Sequence, residues 1–106
     1  MKIAVSGTGG SMSAQVDERF GRCAYFVIVD SETMKFTAFS NPASEFSGGS
    51  GPAAVREIAK HGTEVLLTRR VGANAQKALD AADIKVIEVS LGNVREAVET
   101  YLKSRT

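Results

Sequence analysis

The 106-residue chain has one cysteine, one histidine and almost no excess charge of either sign. A lone cysteine excludes an intrachain disulfide and fits a reducing compartment. It also excludes a closed structural metal site built from thiolates, which takes about four protein ligands. The single histidine, His61, is far in sequence from Cys23, so neither a Cys–His pair nor a Ser–His–Asp triad has support. His61 instead precedes Gly62 at an expected helix end, where it suits the negative end of the helix dipole. With 13 Lys+Arg against 12 Asp+Glu the formal charge is +1, which gives no global pull towards nucleic acid or an acidic membrane surface. Any basic site has to be local. A long apolar run is also lacking: the opening "MKIAVSG" falls far short of a signal peptide or a membrane span, so a cytoplasmic location is expected. The carboxylates Asp17, Glu18, Asp30, Glu32 and Glu45 are scattered, and "KIAVS" carries none of the acids that a two-metal nuclease needs on its central strand. The chain reads as a binding protein, not an enzyme.

What is present is a regular alternation of elements. The length suits a single domain over 1–106, large enough to bury a core without staples. Strands are expected at 2–6, 24–30, 34–40, 63–68 and 84–89, from short apolar or β-branched runs closed by polar turns. The polar "DSET" between the second and third suggests an antiparallel hairpin. Pro52 suits the first turn of a helix that carries Ala54, Val55, Ile58 and Ala59 on one stripe and is capped by Gly62. Further helices are expected over 72–82, with Ala75, Ala78, Leu79 and Ala82 at helical spacing, and from Val94 to Leu102. The order β-β-β-α-β-α-β-α gives an α/β fold of three layers. Its mixed five-stranded sheet has one antiparallel strand, at 24–30, and helices on both faces.

In such a sheet ligands sit beyond the carboxyl ends of the parallel strands. Three loops are expected to meet there: "GTGGSMSAQVDERFGRC", "RRVGAN" and "SLGN", with "FSGGSGP" within reach. Neither glycine cluster matches a nucleotide-binding fingerprint. Both leave backbone N–H groups accessible, as cradling an anion requires. In "VDERFGRCAYFVIVD", Asp17 either pairs with an arginine in a solvated loop or orients one towards an anion. Arg19 and Arg22 flank Phe20 and Gly21, and Arg69 and Arg70 add cations near the same edge. Cys23 is either a small buried hydrophobe or, with arginines lowering its pKa, a thiolate offering one ligand to a preformed cluster.

Taken together, "ERFGRCAYF", "GGSGP", "GANAQKALDAADIKV" and "VREAVETYLK" resemble the dinitrogenase iron–molybdenum cofactor biosynthesis family over nearly the whole chain. The resemblance implies a ribonuclease-H-like sheet without nuclease chemistry. It also implies a nitrogen-fixation accessory role: a small carrier or store for the iron–molybdenum cofactor, its precursor or a related anionic metal–sulfur cluster. Cofactor-assembly proteins are the implied partners, with no nucleic acid or membrane. The expected contacts to the cluster are Asp17, Arg19, Phe20, Gly21, Arg22, Cys23, Ser47, Gly48, Gly49, Gly51, Arg69, Gly72 and Asn74, with Cys23 as the metal ligand. Ser47 stands where many members carry a histidine, and serine is a poor ligand for soft metal. The competing expectation is a small regulatory or interaction domain that binds an anionic metabolite or nucleotide at the same rim.

Overall fold

The structure, a computed structural model, describes residues 1–46, 48–90 and 92–105. Its elements are β1 (Lys2–Gly7), β2 (Tyr25–Asp30), β3 (Phe36–Ser40), α1 (Ser50–Lys60), β4 (Val65–Thr68), α2 (Ala73–Ala81), β5 (Lys85–Glu88) and α3 (Val94–Ser104). The five strands form one sheet in the order β3-β2-β1-β4-β5. β2 runs antiparallel to both of its neighbours, β1 and β3, whereas β1–β4 and β4–β5 are parallel. β2 is therefore the one reversed strand, as the element order implied.

Alternation along the strands assigns the two faces. Ala4, Phe26, Ile28 and Leu66 point to one side and pack with Ala54, Val55 and Ile58 of α1 and Ala75 and Leu79 of α2. Ile3, Val5, Val27, Val29, Val65 and Leu67 point to the other and meet Val94, Val98 and Tyr101 of α3. The central strands are thus apolar on both faces, as a sheet covered on both sides requires. Each fully buried side chain such as Ile58 or Leu79 contributes about 1.5–3 kcal/mol. α3 begins with a capping box in which Asn93 accepts from the Glu96 N–H and the Glu96 carboxylate accepts from the Asn93 N–H.

Element ends differ from the sequence reading by one or two residues, β3 among them. β3 starts at Phe36, not at residue 34, because Met34 takes a left-handed φ of 59° and donates its N–H to the Asp30 carbonyl at 2.7 Å. That closes the turn before extended structure can begin. α1 starts at Ser50, two residues before Pro52, which still falls among the four N–H positions that a helix leaves unbonded. Its other end is as expected: Gly62 adopts φ +75° just beyond the His61 cap and donates to the Ala59 carbonyl. The His61 ring lies 4.5 Å from Phe39 with 11° between the planes, so α1's last turn also anchors on β3.

Candidate anion-binding cavity

The long connection from β1 to β2 divides into two parts with different tasks. Its first part folds towards α3: Met12 and Ala14 carbonyls accept from the N–H groups of Arg95 and Val94, and Val16 donates to Gly92. Those bonds occupy N–H groups that the start of α3 leaves free. The "GTGGS" glycines follow this part. Gly10 lies under the Tyr25 ring and Ala38, and none of residues 7–11 lines the cavity described next.

The second part, Glu18 to Arg22, forms one wall of a cavity of about 470 Å³. The opposite walls are the starts of two helices, Gly49–Pro52 of α1 and Gly72–Ala75 of α2, with Arg70 at the edge. The volume lies in the range of small-molecule sites. Neither helix has a side-chain cap or an acidic residue in its first turn. Both therefore present unbonded N–H groups and the positive end of their dipoles to the same space. Three arginines (Arg19, Arg22 and Arg70) line it against a single carboxylate, Glu18. Electrostatically the cavity is built for an anion.

The walls approach one another through glycine. A Cβ on Gly21 would stand 2.8 Å from the Gly51 nitrogen, and a Cβ on Gly51 would stand 2.8 Å from the Ala75 Cβ. Asn41 ties the floor together: its amide donates to the carbonyls of Gly21 at 2.9 Å and Cys23 at 3.1 Å, and its Oδ1 accepts from Ala43. Asp17 does not line the cavity. Its buried carboxylate accepts from the backbone N–H of Arg19 at 3.0 Å and from Arg19 Nε at 3.4 Å, while the arginine itself is exposed. Arg22 donates to the Ser44 carbonyl at 3.3 Å. Phe20 reaches the cavity from the core, its ring 5.4 Å from Phe26.

Arg19, Phe20, Gly21, Arg22, Gly49, Gly51, Gly72 and Asn74 are brought together here. Besides Asp17 and the "GTGGS" loop, further expected residues are not brought to this cavity. Gly48 is exposed and lies outside the lining. Arg69 turns away, donating to the Val89 carbonyl at 3.4 Å, and it is Arg70 that faces the cavity. The loop after β5 does not join this site: Ser90, Gly92 and Asn93 line a separate groove of about 330 Å³ between β5 and α3. Cys23 is fully buried in the core beneath α1, its thiol donating to the Tyr25 carbonyl at 3.3 Å. Burial, reinforced by the negative charge of Asp17, pushes that thiol up to about 12, so arginines do not hold it as thiolate. Cys23 in this position is a packed core residue, not a ligand facing the cavity. Ser47 lies outside the described residues. No three His, Cys, Asp or Glu side chains among the described residues group to hold a metal ion. The donor set present thus fits an anion carrying its own metal ligands, not a bare cation.

Ser50, Pro52, Ala73, Ala75 and Glu18 line the cavity without a sequence signal that assigns them to it. Ala75 was visible in the sequence only as part of a helical core stripe. For the adjacent pair Arg69–Arg70, composition does not say which of two neighbours at a strand end points inwards.

No helix among the described residues is long and apolar enough to cross a membrane. No curated protein matches the chain significantly. Solved structures close in fold include the following two. The apo form of the orange protein from Desulfovibrio gigas is 42% identical, with a TM-score of 0.94 over 98% of this chain and 88% of that one. A putative NifB protein from Thermotoga, solved by NMR, is 33% identical, with a TM-score of 0.86 over 98% of this chain and 89% of that one. Residues 1–104 match the family described as dinitrogenase iron-molybdenum cofactor, and the chain belongs to that family.

Proposed function

We propose that this chain is a small non-catalytic carrier that holds an anionic metal–sulfur cluster, the iron–molybdenum cofactor or a relative of it, in the cavity between Glu18–Arg22 and the starts of α1 and α2. The observation that carries this reading is the meeting of two uncapped helix N-termini in one cavity edged by three arginines. The cofactor in the family's description supports the chemical class chosen for the anion. The cluster's sulfide and oxygen atoms accept from the N–H groups of the first turns and from the guanidinium forks. Its metals keep their own ligands, since the only cysteine is in the core. Charge and hydrogen bonding without a thiolate bond suit cargo that must be released to a cofactor-assembly protein.

The test is anaerobic mixing of the protein with extracted iron–molybdenum cofactor and, separately, with a synthetic four-iron–four-sulfur cluster. Metal retained through gel filtration is measured, together with amide shifts in an ¹⁵N spectrum. Retention with the largest shifts at Gly21, Gly51, Ala73 and Asn74 supports the proposal. Loss of all metal on the column, or shifts confined to the β5–α3 groove, sinks it. A thermal-shift screen with nucleotides covers the competing expectation of an anionic-metabolite domain.

A further inference from the structure

The sheet ends on one side in β3, whose sequence "FTAFS" holds no charge, no proline and no glycine. Natural edge strands are usually guarded by such residues, because an open row of N–H and C=O groups templates further pairing. The opposite edge, β5, carries Lys85 and Glu88. Beside β3, Tyr25 and Phe36 are exposed by 37% and 42%, two of the three exposed large apolar side chains among the described residues. Phe36, Ala38 and Ser40 share one face with Tyr25, through the pairs Tyr25–Ser40, Val27–Ala38 and Val29–Phe36.

The hydrogen-bond parity of β3 fixes which groups are open. Asn41 donates to the Ala24 carbonyl and Asp30 to the Lys35 carbonyl, both at 2.9 Å. In an antiparallel ladder, bonded and non-bonded pairs alternate. In the β2–β3 register, residues 35, 37, 39 and 41 therefore point their backbone groups at β2, and Phe36, Ala38 and Ser40 point theirs outwards.

We propose that β3 is a pairing edge for a second copy of this chain, joined antiparallel about a two-fold axis through Ala38. This register sets Ala38 opposite Ala38 and Phe36 opposite Ser40, so all three outward residues on each copy exchange bonds with outward residues of the other. Shifting either copy by one residue would set outward groups against groups already bonded to β2. The register is also compatible in charge: Lys35 falls opposite Asn41, and no like charges face one another. Each Phe36 ring crosses the small Ser40 of the second copy towards that copy's Tyr25, two strands away. The two-fold axis closes the assembly at a dimer instead of a fibre.

The area sets the strength. Tyr25 and Phe36 together leave roughly 120–200 Å² of ring per copy to cover. With a five-residue ladder that falls short of the ~1,200 Å² of a standard interface, so the dimer is weak and concentration-dependent.

Sedimentation velocity of the full chain from about 10 µM to about 1 mM tests this over the range of weak association. The sedimentation coefficient is expected to rise towards that of a dimer. Ala38→Lys and Ala38→Glu, at an exposed position, each place like charges directly across the axis and should weaken association by up to ~5-fold. An equimolar mixture of the two should restore it. Phe36→Ser, also exposed, should weaken it without introducing charge, and ¹⁵N spectra verify that each variant is folded. A wild-type chain that stays monomeric throughout overturns the proposal, including the case in which the edge serves a different protein's strand. So does a dimer that both charge variants leave intact, or a mixture that fails to re-associate.

Discussion

The Gly21 Cα and the Gly51 backbone nitrogen are so close that a methyl group on Gly21 would stand 2.8 Å from that nitrogen. Neither partner can yield as a flexible side-chain tip would, because both are backbone at the walls of the cavity. Gly51 meets Ala75 in the same way on its other side, which makes a chain of contacts from the arginine loop through α1 to α2. Gly51→Ala should therefore overpack the junction and destabilise the protein by about 1–3 kcal/mol. It should also widen the gap between the two helix starts and weaken anion binding. Chemical denaturation and a titration with the iron–sulfur cluster measure the two effects. Unchanged stability would mean that α2 slides freely, contrary to this packing.

Cys23 gives a pH dependence of defined sign. Its thiol is raised from an ordinary 9.0 to about 12 by burial first and by Asp17 second. Between those values the unfolded chain has released the proton and the folded chain has kept it. Rising pH therefore favours unfolding: the contribution is fully present below pH 9.0 and is lost as pH rises towards about 12. The slope from this residue is at most ~1.4 kcal/mol per pH unit. Cys23→Ala should cost about 1 kcal/mol near neutrality. It should also flatten the alkaline limb of the stability profile and leave the visible spectrum of bound cluster unaltered. A spectrum that shifts on Cys23→Ala would restore the thiol as a ligand.

Much of this fold was legible because its signals are collective. The alternation through Phe26, Val27, Ile28 and Val29 and the helical stripe Ala54, Val55, Ile58 each sum several residues into one pattern. The site depended on single orientations, and these are not patterned. Met34 turns the chain with a positive φ that no composition rule assigns to methionine. Cys23 sits among arginines in sequence, yet desolvation outweighs them because the side chain enters the core. The glycine-rich "GTGGS" looked like a cradle, but the chain leaves the sheet edge with it and returns to the cavity only at Glu18. The arginine loop and the two helix starts were legible because helix N-termini at the carboxyl ends of parallel strands follow from topology alone.

A control separates stability from binding. Asn93 caps α3 on the sheet face opposite α1 and α2 and does not line the cavity. Asn93→Ala removes one partner of the capping box and should cost about 1 kcal/mol. Cluster affinity measured well below the melting temperature should not change. A matching loss of affinity would show that binding follows global stability instead of the local geometry of the cavity.

Arg69 and Arg70 offer the sharpest contrast, since they are neighbours with the same charge. Arg70 lines the cavity, is exposed, and makes no ion pair with a described residue; Arg69 donates to Val89 and buries its Nε. Removing either lowers the net charge equally, so a purely global electrostatic attraction would weaken by the same factor in both variants. A local contact predicts otherwise. Arg70→Ala should reduce affinity for the four-iron cluster several-fold and leave stability nearly unchanged, as surface substitutions usually do. Arg69→Ala should perturb the β4–β5 end of the sheet and lower stability, with a smaller effect on affinity. Salt supplies the second axis of the measurement. Affinity should fall as the Debye length shortens from ~10 Å to ~3 Å, and the slope should be shallower in Arg70→Ala than in wild type or Arg69→Ala. Equal slopes in the two variants would remove Arg70 from the site.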